Sequence, residues 1–233
     1  MTELFVLVHA PGLGPGSWAP VAGELAGAGH EVTVPSLTGF TDAGPPYTQR
    51  LVQLARAQIP DRATDRVVLV LHSGAGVFAP HLAEAITARD VAVVFADAAL
   101  PRPEGPATVV DSAFLPFVRD LASDGMVPPW PQWWPDDVMS GLFPDEATRR
   151  SVTREAQAMP LAFFEEILPR VPGSWRSCHP AYLRFSEGYQ EPAREAAGRG
   201  WPVRELPGEH LHMLVRPADV ATAIIGLAAD LAS

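Results

Sequence analysis

The sequence contains no lysine. All 17 of its basic residues are arginine, which removes every chemistry that needs a primary ammonium or its free amine: Schiff-base formation, a phosphate-loop lysine, a serine–lysine dyad. Cysteine is nearly as scarce. The single Cys178 excludes an internal disulfide and a cysteine-rich zinc site, and a lone thiol of this kind reads as a small packing hydrophobe. Positive charge is short overall. A net charge of -10 offers no basic face to neutralise phosphates, so neither nucleic acid nor a phosphate-rich substrate is expected. No apolar run approaches the roughly 20 residues that span a bilayer, so no membrane partner is expected. The first strand-like run, Phe5-Val6-Leu7-Val8, begins so close to Met1 that no secretory leader fits before it, and a cytoplasmic location is the expectation. The histidines are scattered apart from His210 and His212, whose i, i+2 spacing is poor for helical ligation. No metal and no cofactor are therefore expected.

What is present is ample apolar material. At 233 residues, 47% hydrophobic and 19% charged, the chain can bury a full core as one compact domain, or one domain with an insertion. Valine-rich runs alternate with alanine- and leucine-rich stretches of helical period, the βαβα pattern of an α/β fold with a mainly parallel sheet flanked by helices. Strands are expected at 4–9, 31–35, 67–71, 91–96, 181–185 and 203–206. Helices are expected near 18–28, 48–59, 75–88, 190–199 and 217–231. The alternation breaks between Leu100 and about Pro180, where no good strand is visible and Pro128-Pro129-Trp130-Pro131-Gln132-Trp133-Trp134-Pro135 is dense in proline and tryptophan. The expected organisation is a core from 1–100 and 181–233, with a helical cap inserted at 101–180 over the carboxyl edge of the sheet.

The chemistry concentrates at strand ends. Val67-Val68-Leu69-Val70-Leu71-His72-Ser73-Gly74-Ala75-Gly76 is a buried strand running into a small-residue turn, the arrangement that mounts a serine nucleophile and lets the following N–H bind an oxyanion. Ser73 would be that serine and Gly74 would supply that N–H. After the first strand, His9-Ala10-Pro11-Gly12 opens a glycine-rich turn whose backbone can approach a ligand. After the last strand, Gly208-Glu209-His210-Leu211-His212 offers two histidines, either of which could take the serine proton. Two carboxylates end strands between them, Asp97 and Glu187. Serine, acid, histidine is the chain order of a known hydrolase constellation.

These pieces resemble the α/β-hydrolase superfamily, and among its branches the small plant methylesterases and hydroxynitrile lyases and their bacterial relatives. The matching elements are Phe5-Val6-Leu7-Val8-His9 with Trp18, Gly29-His30-Glu31-Val32-Thr33-Val34-Pro35, His72-Ser73, Asp97-Ala98-Ala99-Leu100-Pro101, and His210 followed by Pro217. The resemblance implies Ser73 as nucleophile and His210 as base, His210 being preferred to His212 on its spacing to Pro217. Asp97 or Glu187 would hold the imidazole. Gly74 and one amide of the Ala10-Pro11-Gly12 turn would receive the oxyanion. Substrate contact is assigned to His9, His72, His212, Trp130, Trp133 and Trp134.

Three positions depart from the family pattern. Leu71 stands where glycine usually precedes the nucleophile by two residues. Pro11 occupies the position whose backbone N–H serves the oxyanion in the methylesterase branch, and proline has no N–H; Gly12 is the neighbouring amide. Ser186-Glu187-Gly188-Tyr189 offers glutamate early and tyrosine late where an aspartate is usual. The expected activity is hydrolysis of an ester, thioester or activated amide of a largely apolar small molecule or peptide, in the manner of a carboxylesterase. The alternative is a proton-transfer enzyme of specialised metabolism (a lyase, epimerase or cyclase), and a third reading is a ligand-binding protein without chemistry. A second copy of the chain, as a homodimer, is the one protein partner considered.

Overall fold

A computed structural model describes residues 3–60, 64–102 and 105–232. Its strands are β1 (Glu3–Val8), β2 (Glu31–Thr33), β3 (Thr64–Ser73), β4 (Ala88–Ala98), β5 (Met126–Val127), β6 (Met159–Pro160), β7 (His179–Arg184) and β8 (Val203–Glu205). Its α-helices are α1 (Ala19–Gly27), α2 (Tyr47–Arg56), α3 (Ala79–Ala85), α4 (Leu115–Leu121), α5 (Asp136–Ser140), α6 (Glu146–Thr153), α7 (Leu161–Phe164), α8 (Gln190–Gly198), α9 (His212–Val215) and α10 (Pro217–Asp230).

Six strands form one sheet in the order β2-β1-β3-β4-β7-β8, and every neighbouring pair in it is parallel. A parallel sheet with helices on both faces must bury both sets of alternating side chains, which is why its strands are continuous apolar runs. Leu4, Val6, Val67, Leu69, Leu71 and Phe95 point into one core, with α2, α3 and α8. Phe5, Leu7, Val68, Val70, Val94 and Leu183 point into the other, with α1 and α10. The chain leaves β1 toward β2 on one side and returns to β3 on the other. That reversal opens a crevice at the carboxyl ends of β1 and β3, the place where such sheets bind ligands.

Two expectations change. The helix foreseen at 75–88 is a 3₁₀ turn over Gly74–Phe78 followed by α3. Pro80 lies at the start of α3, because proline lacks the N–H that a helix interior requires, and Ala88-Arg89-Asp90 belong to β4 instead, pairing with β3. Between Leu100 and Pro180, where no strand was foreseen, β5 and β6 pair antiparallel through two residues each. Runs that short carry no readable alternation.

The residues between β4 and β7 are tied to the sheet layer by two carboxylates. Glu155 accepts from Gly16 N–H at 2.8 Å, and Glu166 accepts from Tyr47 and Thr48 N–H at 2.6 and 2.7 Å. The latter satisfies two of the orphan amides in the first turn of α2, where a negative charge is also favoured by the helix dipole.

Candidate active site

Ser73 ends β3 with φ 56° and ψ -130°. That backbone region is disfavoured for any residue with a Cβ and costs on the order of 1–3 kcal/mol unless its surroundings enforce it. Enforcement comes from both sides. Ala99 N–H donates to the Ser73 carbonyl at 3.0 Å, and Gly76 lies so close to β4 that a Cβ there would collide with the Ala99 carbonyl oxygen. The sharp turn lifts Ser73 Oγ clear of the sheet and leaves the Gly74 amide at the head of the 3₁₀ turn without an intrahelical acceptor. Leu71 causes no conflict, since its side chain lies wholly within the core.

His210 completes the arrangement. Its Nε2 lies 3.0 Å from Ser73 Oγ and its Nδ1 2.8 Å from Asp97 Oδ2. An Nδ1–H donated to the carboxylate leaves Nε2 as a bare acceptor for the serine proton. Asp97 is fully buried. Its Oδ1 accepts from Phe185 and Ser186 N–H at 2.8 and 3.0 Å, and its Oδ2 accepts from Ser186 Oγ–H at 2.6 Å as well as from His210. A buried charge with this many donors is compensated. Glu187, the rival carboxylate, is exposed on the loop after β7. The imidazole it would have held is already engaged by Asp97.

Three histidines assigned to substrate lie elsewhere. His9 is buried, with Nδ1 donating to the Ala10 carbonyl at 2.8 Å and Nε2 accepting from Leu37 N–H at 3.0 Å. Both nitrogens are consumed in holding the turn after β1 against the segment after β2. His72 is buried behind His210, with its Nε2–H directed at the His210 carbonyl 3.0 Å away. The two rings lie 4.5 Å apart. His72 therefore fixes the loop that carries His210, which the sequence did not reveal. His212, half-buried at the start of α9, packs near Phe185. None of the three lines the cavity that opens at Ser73.

That cavity is about 1020 Å³ in volume and is lined at its base by Ser73, Gly74, His210, Ala10, Pro11 and Gly12. Pro11 and Gly12 are the central residues of a turn closed by Leu13 N–H to the Ala10 carbonyl at 2.9 Å, so Gly12 carries the first amide after the proline. Trp130, Trp133 and Trp134 join Phe114, Phe163 and Phe164 in its walls. Trp133 Nε1–H donates to the Pro128 carbonyl at 2.7 Å, which orients the indole within its proline-rich surroundings. Tyr189, the late residue of the Ser186-Glu187-Gly188-Tyr189 turn, was given no role by the sequence. It lines the same cavity with its hydroxyl 3.1 Å from Ser73 Oγ. Among the described residues no group of three His, Cys, Asp or Glu could hold a metal ion. Burial, with the Asp90 charge, pushes the Cys178 thiol up to about 11, away from nucleophilic chemistry.

Burial also pushes His9 down to about 4, against a smaller opposing effect of its hydrogen bond to Ala10, and drives His72 well below the ordinary range, helped by the neighbouring His210. A histidine whose folded pKa is depressed binds fewer protons folded than unfolded. Its stabilising contribution is complete above pH 6.5 and is lost as pH falls toward 4. At about 1.4 kcal/mol for each tenfold change in proton affinity, His9 alone accounts for about 3 kcal/mol across that window. Denaturant unfolding at pH 7 and pH 4.5 should show a falling midpoint, and His9→Asn should flatten part of that fall; an equal pH response in the variant would remove His9 as a cause.

Residues 5–223 match the alpha/beta hydrolase family, whereas no curated protein sequence matches the chain. Solved structures share the fold at low identity. A pyrethroid hydrolase from Sphingobium faniae JZ-2 is 19% identical with a TM-score of 0.71, covering 98% of each chain. Tomato methylketone synthase I in complex with 2-tridecanone is 19% identical with a TM-score of 0.72, covering 99% of each chain. An extracellular alpha/beta-hydrolase from a Paenibacillus species, which shares structural and functional homology with tobacco salicylic acid binding protein 2, is 19% identical with a TM-score of 0.69, covering 97% of this chain and 98% of that one.

Proposed function

Because the chain belongs to the alpha/beta hydrolase family, we propose that it is a serine hydrolase of carboxylesterase type, cleaving an ester, thioester or activated amide of a largely apolar small molecule or peptide. The observation that carries this reading is the unbroken chain Ser73 Oγ, His210, Asp97 at 3.0 and 2.8 Å, with its serine on a strained turn facing the cavity. His210 Nε2 takes the Ser73 proton as Oγ attacks the carbonyl carbon, and returns it to the leaving oxygen, sulfur or nitrogen when that bond breaks. Water then repeats the sequence on the acyl-enzyme and releases the acid. Asp97 keeps Nδ1 protonated and stabilises the imidazolium. Gly74 N–H and Gly12 N–H are the amides available to the oxyanion, Gly12 standing in for Pro11.

The residues between β4 and β7 serve as a cap whose aromatic walls select the substrate. A cavity of about 1020 Å³ sits at the upper end of small-molecule sites, and its indole and phenyl surfaces suit flat or bulky apolar groups. One observation favours a second reading. The missing N–H of Pro11 weakens oxyanion binding, and an enzyme that only moves a proton, as a lyase, epimerase or cyclase, needs that donor less.

Intact-mass labelling with a broad fluorophosphonate tests the proposal. A single stoichiometric adduct is expected on the wild type, none on Ser73→Ala, and labelling slowed by about 10³-fold or more on His210→Ala. A folded wild type that forms no adduct and does not cleave p-nitrophenyl octanoate would sink the hydrolase reading in favour of proton transfer, to be followed by deuterium exchange into candidate ligands.

A further inference from the structure

The mechanism above leaves one half-buried polar group at the reacting atoms without a task. Tyr189 closes the 3₁₀ turn Glu187–Tyr189 that follows β7. Its hydroxyl lies 3.1 Å from Ser73 Oγ, and its ring lies parallel to the His210 imidazole, 4.9 Å between centroids and 4° between planes. The direction of its hydrogen bond follows from counting protons. Ser73 has one, and the bare Nε2 of His210 receives it. Ser73 Oγ is then an acceptor toward Tyr189, so the phenol O–H donates. Burial pushes the Tyr189 phenol up to about 12, the hydrogen bond with Ser73 opposing this in part, and the proton stays on it at neutral pH.

On the serine-hydrolase reading, we propose that Tyr189 is a catalytic residue whose O–H stabilises negative charge on Ser73 Oγ and whose ring face stabilises the His210 imidazolium. Charge gathers on Oγ twice. It does so in acylation, when the proton passes to His210 as the bond from Oγ to carbon forms. It does so again in deacylation, when that bond breaks and Oγ leaves with the pair of electrons before His210 returns the proton. Tyr189 keeps its own proton in both steps. Each time His210 is cationic, an electron-rich ring face lies parallel to it, an arrangement that favours a cation. The donor contributes on the nucleophile side of the tetrahedral centre, in a site where Pro11 has removed an amide from the other side.

The bland alternative is that Tyr189 merely packs against His210 and gives its hydroxyl the nearest acceptor, as buried tyrosines do. Tyr189→Phe separates the two, because it keeps the stacked ring and deletes the donor. For p-nitrophenyl octanoate, kcat is expected to fall by about ten- to a hundred-fold, with KM changed by less than about two-fold and fluorophosphonate labelling slowed in parallel. Site-specific 3-fluorotyrosine at position 189, a stronger donor that still carries the hydroxyl, should raise kcat above the wild-type value, whereas a packing role leaves it unchanged. This second protein also decides the matter if the Phe variant folds poorly. An active wild type whose kcat and labelling rate are unchanged in Tyr189→Phe, or whose kcat does not rise with 3-fluorotyrosine, would overturn the role of Tyr189 alone. A wild type inert to both probe and ester would overturn the hydrolase reading and this role together.

Discussion

Asp97→Asn is expected to lower the turnover of p-nitrophenyl octanoate by about 10⁴-fold while leaving a folded protein. Asparagine can keep its carbonyl oxygen where Oδ1 accepts from Phe185 and Ser186 N–H. Its amide nitrogen then replaces Oδ2, and the Ser186 hydroxyl can rotate from donor to acceptor. His210 cannot adapt without loss. Facing an N–H, its Nδ1 must become the acceptor, which moves the ring proton to Nε2 and leaves nothing to receive the proton of Ser73. Glu187→Gln is the control, since that side chain is exposed; its turnover should stay within about two-fold of wild type. Steady-state kinetics on the two variants checks the assignment. Comparable losses in both, or a larger loss in Glu187→Gln, would return the acid to the loop after β7.

The second large effect is on stability. At Gly76 a Cβ would strike the Ala99 carbonyl oxygen and press on Ala98, and both are backbone or short side chain with no flexible end to move. The same Ala99 donates to the carbonyl of Ser73, so the collision works directly against the contact that enforces the turn. Overpacking of this kind costs about 1–3 kcal/mol or more. Gly76→Ala is expected to lose about 3 kcal/mol, which in a chain of this size lowers Tm by about 6–12 °C, and to label poorly with fluorophosphonate even when folded. Gly74→Ala provides the contrast. Its nearest new neighbour would be Pro11 Cδ at an ordinary 3.8 Å, and its Tm should move little. Thermal unfolding of both variants decides; equal melting temperatures would show that the turn yields freely at Gly76.

The sheet was legible because its strands are apolar on both faces, and buried valine runs bounded by turns leave little else for β1, β3 and β4 to be. Ser73 was legible for a related reason, since a serine between such a strand and Gly74-Ala75-Gly76 has one economical geometry. The acid was not, because choosing between Asp97 and Glu187 requires the path of the loop after β7. That path is fixed by Phe185 and Ser186 amides bonding back to Asp97. His9 and His72 misled because the ends of β1 and β3 border the crevice. Whether an imidazole there faces ligand or protein depends on a distant partner, Leu37 N–H for one and the His210 carbonyl for the other. Tyr189 meets Ser73 across 116 residues of chain, a contact no local pattern encodes.

The proposed placing of the acid at the end of β4 has a consequence for how this protein can be rebuilt. On the proposed assignment Ser73 and Asp97 both precede Leu100 and His210 follows β7, so the stretch between β4 and β7 would contribute nothing to the relay of protons. On that assignment it is a cassette. A replacement segment would need to start after Leu100, rejoin at β7, and reproduce two tethers, a carboxylate for Gly16 N–H and another for the first turn of α2. Within those terms substrate preference becomes a transplantable property, separable in the chain from the ability to break a bond.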